Sequence, residues 1–157
     1  MGSERSQGIH LDGLAKSFND KQVLRSVSLN IPAGQSTGLI GPSASGKSVL
    51  LKCLVGLMQV DTGNMRYGDR ELTPILTNTI LSLIERETSG KGTTVLAVTG
   101  DMKAARSRFD NIAMLFDGEI KWSGKRDAVP DAGNPYLEQM INGQATGPIR
   151  MRLAARE

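Results

Sequence analysis

Along the first third of the chain, apolar and polar residues follow patterns that are typical of β-strands. Between residues 27 and 31, apolar positions alternate with polar ones, as in a half-buried strand. Residues 37–40 form a short apolar run, which suits a buried strand of a parallel sheet. Leucines at helical spacing then predict a helix over residues 46–58. A turn at residues 61–63 leads into a small predicted strand over residues 65–67.

The second half of the chain alternates between the two periodicities. The predicted helices cover residues 73–90, 101–108 and 135–141. The predicted strands cover residues 95–98, 112–116 and 119–122, and the last two are joined as a hairpin by Asp117-Gly118. Strands that alternate with helices predict an α/β domain built on a parallel sheet.

The pattern G-x-x-x-x-G-K-[ST] fits residues 41–48 without a mismatch. The context also fits, because a buried strand leads into this loop and an amphipathic helix leads out of it. The glycines allow a backbone that points successive N–H groups at phosphate oxygens, and the new helix adds positive charge at its N-terminus. We expect Lys47 to reach the β- and γ-phosphates of a nucleoside triphosphate, and Ser48 to bind Mg²⁺ through its hydroxyl.

The sequence therefore predicts a site for Mg-ATP, with ATP favoured among the nucleoside triphosphates and Ser48 as the metal ligand. The predicted nucleotide-binding residues of this segment are Gly41, Ser43, Ala44, Ser45, Gly46, Lys47, Ser48 and Val49.

Composition and charge exclude several classes of function. The 157 residues are 39% hydrophobic and 22% charged, which is ordinary for one soluble globular domain. No apolar run approaches the roughly 20 residues that a membrane-spanning helix needs, and residues 1–5 lack the apolar core of a secretory signal. We therefore expect a cytoplasmic protein. A net charge of +3 without an array of aromatic and basic residues argues against nucleic-acid binding.

Two residue types that occur once limit the chemistry further. Cys53 is the single cysteine, which excludes an internal disulfide, and its leucine neighbours predict a buried core thiol. His10 is the single histidine, which excludes a multi-histidine metal site.

The segments around the loop resemble the ATP-binding subunits of ABC transporters. The resemblance rests on residues 14–18, 23–24 and 27–29 before the loop, and on residues 51–57 and 61–63 after it. It implies a P-loop NTPase-like parallel core with a small N-terminal antiparallel β subdomain. In that family an aromatic residue at the place of Phe18 stacks on adenine; the alternative is that Phe18 only packs within the small sheet.

The C-terminal half resembles one branch of this family. Residues 99–106 and 112–118 are similar to the switch region and the strand beyond it. Residues 134–136, Gln139, 142–143 and 147–149 resemble the tail of the Mla-type ATPase, which drives phospholipid traffic between the membranes of Gram-negative bacteria. The resemblance implies an inner-membrane permease, a lipid-binding partner, a homodimer of ATPase subunits and a peripheral location at the inner membrane. Residues 8–130 would then be a shortened nucleotide-binding domain, and residues 131–157 a C-terminal helix and tail.

The resemblance is interrupted between Leu72 and Pro74, where central segments of the family are missing. The chain has no glutamine loop, no L-S-G-G-Q signature and no strand of four hydrophobic residues ending in Asp-Glu, so we expect the helical subdomain to be absent. Residues 88–92 superficially resemble the signature, but they end a predicted helix, where the dipole is negative, instead of starting one. Gly100 stands where the family has its switch histidine.

These losses remove the groups that orient the attacking water and stabilise the transferring phosphoryl group. We therefore expect Mg-ATP binding with weak or absent hydrolysis. Two other hypotheses stay open. Asp101 and Asp117 both follow apolar runs, so either would serve as a substitute metal ligand in a small active P-loop NTPase or kinase, unless both are turn or helix-cap carboxylates. The chain would otherwise be a non-catalytic interaction module or a deletion product.

The missing acidic strand has a structural consequence. In the family the switch strand lies beside the phosphate-loop strand, and the acidic strand lies beyond it. We therefore expect residues 95–98 to form an uncovered apolar edge, which favours self-association or marginal stability.

Overall fold

A computed structural model describes residues 8–68, 70–71, 94–100 and 102–150. Its strands are β1 (Ile9–Phe18), β2 (Lys21–Ile31), β3 (Ser36–Ile40), β4 (Thr62–Tyr67), β5 (Arg70–Glu71), β6 (Val95–Val98), β7 (Asn111–Phe116) and β8 (Glu119–Lys125). Its helices are α1 (Lys47–Leu54), α2 (Met102–Arg108) and α3 (Pro135–Asn142), with a 3₁₀ turn at Arg126–Ala128. The helix predicted over residues 73–90, the signature-like residues 88–92 and Asp101 lie outside the described residues.

The first sheet is the small antiparallel sheet that the resemblance implies. Its strand order is β2-β1-β4-β5, and β1 pairs with both β2 and β4 in antiparallel register. The register of β1 shifts at several points, the first of them between Leu11 and Leu14. Such irregularities increase the local twist. The buried side chains of this sheet share one core with those of α1, the helix that follows the phosphate loop.

The second sheet is the predicted parallel core. Its strand order is β6-β3-β7-β8, with β6 and β7 both parallel to β3 and β8 antiparallel to β7. The strand predicted over residues 95–98 therefore lies beside the strand that leads into the phosphate loop, as expected. The predicted hairpin after β7 is also confirmed.

Alternation along the central strands divides the buried residues into two cores. Leu39 packs on the antiparallel sheet and α1, whereas its neighbour Ile40 packs on α2 and α3. The same alternation along β7 places Ala113 and Leu115 in the first core, and Ile112 and Met114 in the second. The parallel sheet is covered on both faces, which explains why its strands are continuous apolar runs. The phosphate loop leaves this sheet at its carboxyl edge.

The helix after the phosphate loop is shorter than the sequence predicts. α1 ends at Leu54, and the prediction of a helix to about residue 58 is wrong. Gly56 adopts a left-handed φ of 71°, which turns the chain away from the helix axis. Cys53 lies in the last turn and is buried in the first core, as predicted, and burial raises the pKa of its thiol.

Three strands are several residues longer than predicted because their partners extend the pairing. β2 begins at Lys21, which pairs with Phe18, and not near residue 27. β4 begins at Thr62, where it pairs with Ala15, so residues 61–63 are not a separate turn before the strand. β8 continues to Lys125, which pairs with Asn111 at the start of β7. Pairing across a sheet, not local sequence, sets these boundaries.

Strand β6 lies at the outer edge of the parallel sheet. Among the described strands it pairs with β3 alone. Val95 is 39% exposed and Val98 is 36% exposed, which are large fractions for valine side chains in a strand. Within the described ranges, the predicted apolar edge is therefore present. None of the helices in those ranges has the length and apolarity needed to cross a membrane.

Candidate functional site

The phosphate loop has a backbone that only particular residues allow. Gly41 and Gly46 have φ values of 155° and 103°, and Ala44 has a left-handed φ of 61°. A Cβ added to Gly41 would lie 2.1 Å from the carbonyl oxygen of Leu115. A Cβ added to Gly46 would lie 3.0 Å from a methyl carbon of Leu24. Close packing as well as conformation therefore requires glycine at position 41, whereas at position 46 glycine is favoured mainly by the conformation of the backbone.

Lys47 folds back over the loop that precedes it. Its Nζ donates hydrogen bonds to the carbonyl oxygens of Gly41 and Pro42, at 2.7 and 2.8 Å, and to the Ser45 hydroxyl at 3.2 Å. Burial lowers the pKa of Lys47 from the ordinary lysine value. The ammonium group therefore sits inside the curve of the loop, where phosphate oxygens would be its strongest available partners.

The backbone donors of the loop fit an anion. Across the described residues, none of the N–H groups of residues 43–48 donates a hydrogen bond to a protein acceptor. The first intrahelical bond of α1 runs from the Leu50 N–H to the Gly46 carbonyl over 2.9 Å. Unpaired N–H groups at the start of a helix, together with the lysine, form the kind of cradle that binds a polyphosphate. The residues present therefore fit the triphosphate of ATP.

An open pocket of about 260 Å³ lies against the loop. The residues that line it are Lys21, Gln22, Val23, Ala44, Ser45, Gly46, Lys47, Ser48, Val49, Asp117 and Gly118. Most of the predicted loop residues therefore line one pocket, whereas Gly41 and Ser43 lie outside its lining, Gly41 buried and Ser43 exposed. The sequence did not identify the wall formed by residues 21–23 of β2. Of the wall formed by the Asp117-Gly118 turn, it named only Asp117, as an alternative metal ligand.

The Ser48 hydroxyl is the Mg²⁺ ligand that the sequence predicts. Ser48 is exposed at the pocket. The described ranges contain no group of three or more histidine, cysteine or acidic side chains that would hold a metal by themselves.

Phe18 lies at the end of β1, in the same hairpin as the pocket wall. It pairs with Lys21 across the hairpin, and its side chain is 40% exposed. The Lys16 Nζ lies 5.6 Å from the centre of its ring. Phe18 does not line the pocket itself, although its pairing partner Lys21 does. The position leaves both predicted roles open, since the ring is neither buried in the sheet nor part of the pocket wall.

The loop after α1 holds the strand end that carries Phe18. Asp61 accepts hydrogen bonds from the Lys16 Nζ at 2.8 Å and from the Ser17 N–H at 2.7 Å. The hydrogen bond from Lys16, followed by that from Ser17, lowers the pKa of the Asp61 carboxyl. The sequence indicated a turn and a family resemblance at residues 61–63, but no hydrogen-bond partner for Asp61, because nothing local indicates a partner 44 residues away.

Asp117 combines a turn position with a place in the pocket wall. It has a left-handed φ of 50° at the β7–β8 turn, as its turn interpretation predicts. Its Oδ2 lies 3.4 Å from an Nη1 of Arg25, in an exposed ion pair. Asp117 also lines the pocket beside Ser48, so its placement is compatible with a metal-binding role too. Gly100, at the position of the switch histidine, is exposed and has no atom within 4 Å of an added Cβ.

Comparison with known proteins identifies the family. The sequence profile of the family described as ABC transporter matches residues 24–113, which include the whole phosphate loop. The phosphonates import ATP-binding protein PhnC of Fusobacterium nucleatum subsp. nucleatum is 37% identical over 67 residues, covering 43% of this chain and 27% of that protein. The aliphatic sulfonates import ATP-binding protein SsuB 2 of Streptomyces avermitilis is 36% identical over 105 residues, covering 59% of this chain and 42% of that protein. The chain thus spans less than half the length of these curated relatives.

A solved structure gives the same result for the fold. The structure described as the ATP binding subunit of an ABC transporter superposes with a TM-score of 0.66 at 15% sequence identity, covering 86% of this chain and 98% of that one. At this identity the likeness shows the fold alone, which is the predicted α/β core with an antiparallel subdomain. The phosphate loop, the two sheets and the profile match lead to one conclusion: this chain belongs to the ABC transporter family.

Proposed function

We propose that the chain is the ATP-binding subunit of an ABC-type transport system for phospholipids, of the Mla kind, and that it binds Mg-ATP with weak or absent hydrolysis. The observation that carries the proposal is the phosphate loop, in which Lys47 and the unpaired N–H groups of residues 44–48 belong to the lining of one pocket. Strand β3 and helix α1 hold this loop at the carboxyl edge of the parallel sheet.

Calorimetric titration with Mg-ATP tests the nucleotide site. The wild-type protein should bind Mg-ATP, and Lys47→Ala should abolish binding because it removes the charge that faces the phosphates. Lys52→Ala is the matched control, since Lys52 is an exposed lysine in the last turn of the same helix. Equal affinity in Lys47→Ala and Lys52→Ala would refute the assignment of the site.

The phospholipid branch rests on the C-terminal segment. Residues 134–136, Gln139, 142–143 and 147–149 resemble the tail of the Mla-type ATPase. This segment contains a helix with a side-chain cap: Asn134 caps α3 by accepting hydrogen bonds from the N–H groups of Tyr136 and Leu137, both at 3.1 Å. The alternatives to a phospholipid substrate are phosphonates and aliphatic sulfonates, for which two of the relatives are named.

Disruption of the gene in its source organism distinguishes between phospholipid, sulfonate and phosphonate as the transported substrate. The proposal predicts an altered distribution of phospholipids between the two membranes, measured by mass spectrometry of separated membranes. Growth on an alkanesulfonate as the sulfur source, or on a phosphonate as the phosphorus source, should be unchanged. Loss of growth on either compound with unaltered lipids would place the chain among importers of small anions.

The family role also implies partners, which we propose here as an inner-membrane permease, a lipid-binding protein and a second copy of this chain. The subunit would then lie at the cytoplasmic face of the inner membrane, with residues 8–130 as nucleotide-binding domain and residues 131–157 as helix and tail. The exposed edge of β6 supports self-association. Sedimentation should show wild-type oligomers that Val98→Lys disperses, and a wild-type monomer at every concentration would contradict the self-association.

A small active P-loop NTPase or kinase is the second candidate, and the position of Asp117 in the pocket wall favours it. Asp101, the other proposed metal ligand, lies outside the described residues. A steady-state phosphate-release assay separates the candidates. Activity that Asp117→Asn or Asp101→Asn abolishes would support the second candidate, whereas absent activity in the wild-type protein that binds Mg-ATP would support the first.

A further inference from the structure

We infer that the Asp117-Gly118 turn positions the phosphate loop, so that the end of β7 and the antiparallel sheet together set the shape of the nucleotide cradle. This inference rests on the proposed nucleotide site, because it assigns positioning residues to that site. It concerns a turn that the family profile, which ends at residue 113, does not include.

The segment at the end of β7 contacts the phosphate loop at two separate points. Gly41 packs so closely on the Leu115 carbonyl that an added Cβ would lie 2.1 Å from its oxygen. Four residues along the loop, the Ser45 carbonyl accepts a hydrogen bond from the Gly118 N–H at 3.3 Å. Ser45 itself is buried. The segment from Leu115 to Gly118 therefore fixes both the entry and the middle of the loop.

Strand β2 holds the Asp117-Gly118 turn in place. The Arg25 N–H donates to the Gly118 carbonyl at 2.8 Å, and the Arg25 side chain meets Asp117 at 3.4 Å. A Cβ added to Gly118 would lie 2.4 Å from the Val23 carbonyl oxygen. The exposed ion pair contributes little by itself, so the backbone contacts of Gly118 carry most of the constraint.

The conformation of the Asp117-Gly118 turn affects the binding of phosphate by the loop. Gly118 has a φ of 75°, and its neighbour Asp117 is also left-handed, so the turn has one conformation that fits between β2 and the loop. A side chain at position 118 has to displace the turn from Val23, and the Ser45 carbonyl then loses its donor. The N–H groups of residues 43–48 lose their fixed direction, which weakens their convergence on a phosphate.

The variant Gly118→Ala tests this inference against a matched control, Gly133→Ala. Gly133 has a left-handed φ of 57°, but a Cβ there would meet nothing within 4 Å. Both variants carry the strain of an alanine at positive φ, and only Gly118→Ala disturbs the contacts with β2 and the loop. The readouts are hydrogen–deuterium exchange of residues 41–48 without nucleotide and calorimetric affinity for Mg-ATP.

The inference predicts faster exchange over residues 41–48 in Gly118→Ala than in Gly133→Ala, and roughly tenfold weaker binding of Mg-ATP. Equal exchange over this segment in the two variants would overturn it. A wild-type protein that gives no heat with Mg-ATP would refute the proposed nucleotide function instead, and the exchange comparison would still decide whether the turn holds the loop.

If Gly118→Ala does not fold, amide exchange of the wild-type protein, resolved residue by residue, decides the same point. The Gly118 N–H donates to the Ser45 carbonyl, so it should exchange more slowly than the N–H of the exposed Gly133. Equal exchange rates at Gly118 and Gly133 would overturn the inference, because the turn would then not hold the loop.

Discussion

The Lys47 ammonium group donates a hydrogen bond to the carbonyl oxygen of Gly41 over 2.7 Å. Its charge is therefore held by neutral acceptors of its own loop, and burial lowers its pKa. A triphosphate that binds in the pocket replaces these carbonyl acceptors with anionic oxygens, which make stronger charge-assisted hydrogen bonds and favour the protonated lysine. The contact between Lys47 and Gly41 thus marks the place where the phosphates should be held.

Ser48→Ala should remove the contribution of Mg²⁺ to nucleotide affinity. Ser48 is an exposed residue that lines the pocket, and in P-loop sites the hydroxyl at this position binds the metal that bridges the phosphates. Wild-type affinity for ATP should fall roughly tenfold when EDTA replaces Mg²⁺, and the affinity of Ser48→Ala should be low in both conditions. Calorimetry in the two buffers measures this.

Ser43→Ala is the control for that experiment, because it removes an exposed hydroxyl from the same loop and keeps the backbone N–H. It should retain the dependence on Mg²⁺. A dependence that survives in Ser48→Ala would show that another group holds the metal, with Asp117 as the first residue to examine.

Phe18→Ala should weaken ATP binding if the ring stacks on adenine. Stacking on an aromatic side chain contributes about 1–3 kcal/mol per base, so affinity should fall roughly 5- to 150-fold, and Phe18→Tyr should restore it. Binding of inorganic triphosphate should not change, because that ligand has no base. If Phe18 only packs in the sheet, Phe18→Ala will lower the melting temperature and leave the ratio of the two affinities unchanged.

Gln139→Ala should destabilise the C-terminal segment without affecting nucleotide binding. The Gln139 side chain accepts a hydrogen bond from the Ile149 N–H at 2.7 Å and donates one to the Ile149 carbonyl at 3.0 Å. Removing it leaves buried backbone groups unpaired, which costs about 1–3 kcal/mol. Urea unfolding measures the loss, and Glu138→Ala, at an exposed neighbouring position, should change stability little. Equal stability of the two variants would mean that this pairing contributes nothing.

Asp61→Asn should change how stability depends on pH. The folded-state pKa of Asp61 is lowered, first by the hydrogen bond from Lys16 and then by that from Ser17. Its carboxylate therefore stabilises the fold above the unfolded pKa of about 4, and that contribution is lost as the pH falls through the lower folded-state value. The melting temperatures of wild type and Asp61→Asn should differ most near pH 7 and converge toward pH 3.

The matched control is Asp12→Asn, at an exposed aspartate of β1. Its difference from the wild-type protein should stay small throughout this range. A difference between wild type and Asp61→Asn that is constant from pH 7 to pH 3 would contradict the role assigned to the Asp61 carboxylate.

The features that could be predicted from the sequence are those whose structure depends on residues close together in the chain. The phosphate loop depends on glycines and a lysine within residues 41–48, and the strands of the parallel sheet are continuous apolar runs. Local spacing carries both signals. The family profile then confirms the ABC transporter family, and the fold confirms the α/β core.

The parts that the sequence did not predict depend on residues far apart in the chain. Nothing near Gly41 indicates that the Leu115 carbonyl limits its side chain, and nothing near Asp61 indicates Ser17 as a donor. The early end of α1 is a different case, because Gly56 carried a local signal for a helix end that apolar spacing outweighed. The pocket walls at residues 21–23 and at the Asp117-Gly118 turn depend on how distant strands pack beside the phosphate loop. Composition and local spacing do not indicate this packing.

The most direct test of the account is amide NMR of the protein titrated with Mg-ATP. The account predicts that the backbone N–H signals of residues 43–48 shift together and saturate, because these donors converge on the phosphates at the start of α1. Signals of residues 43–48 that do not move at saturating Mg-ATP would contradict the claim that this loop holds the nucleotide.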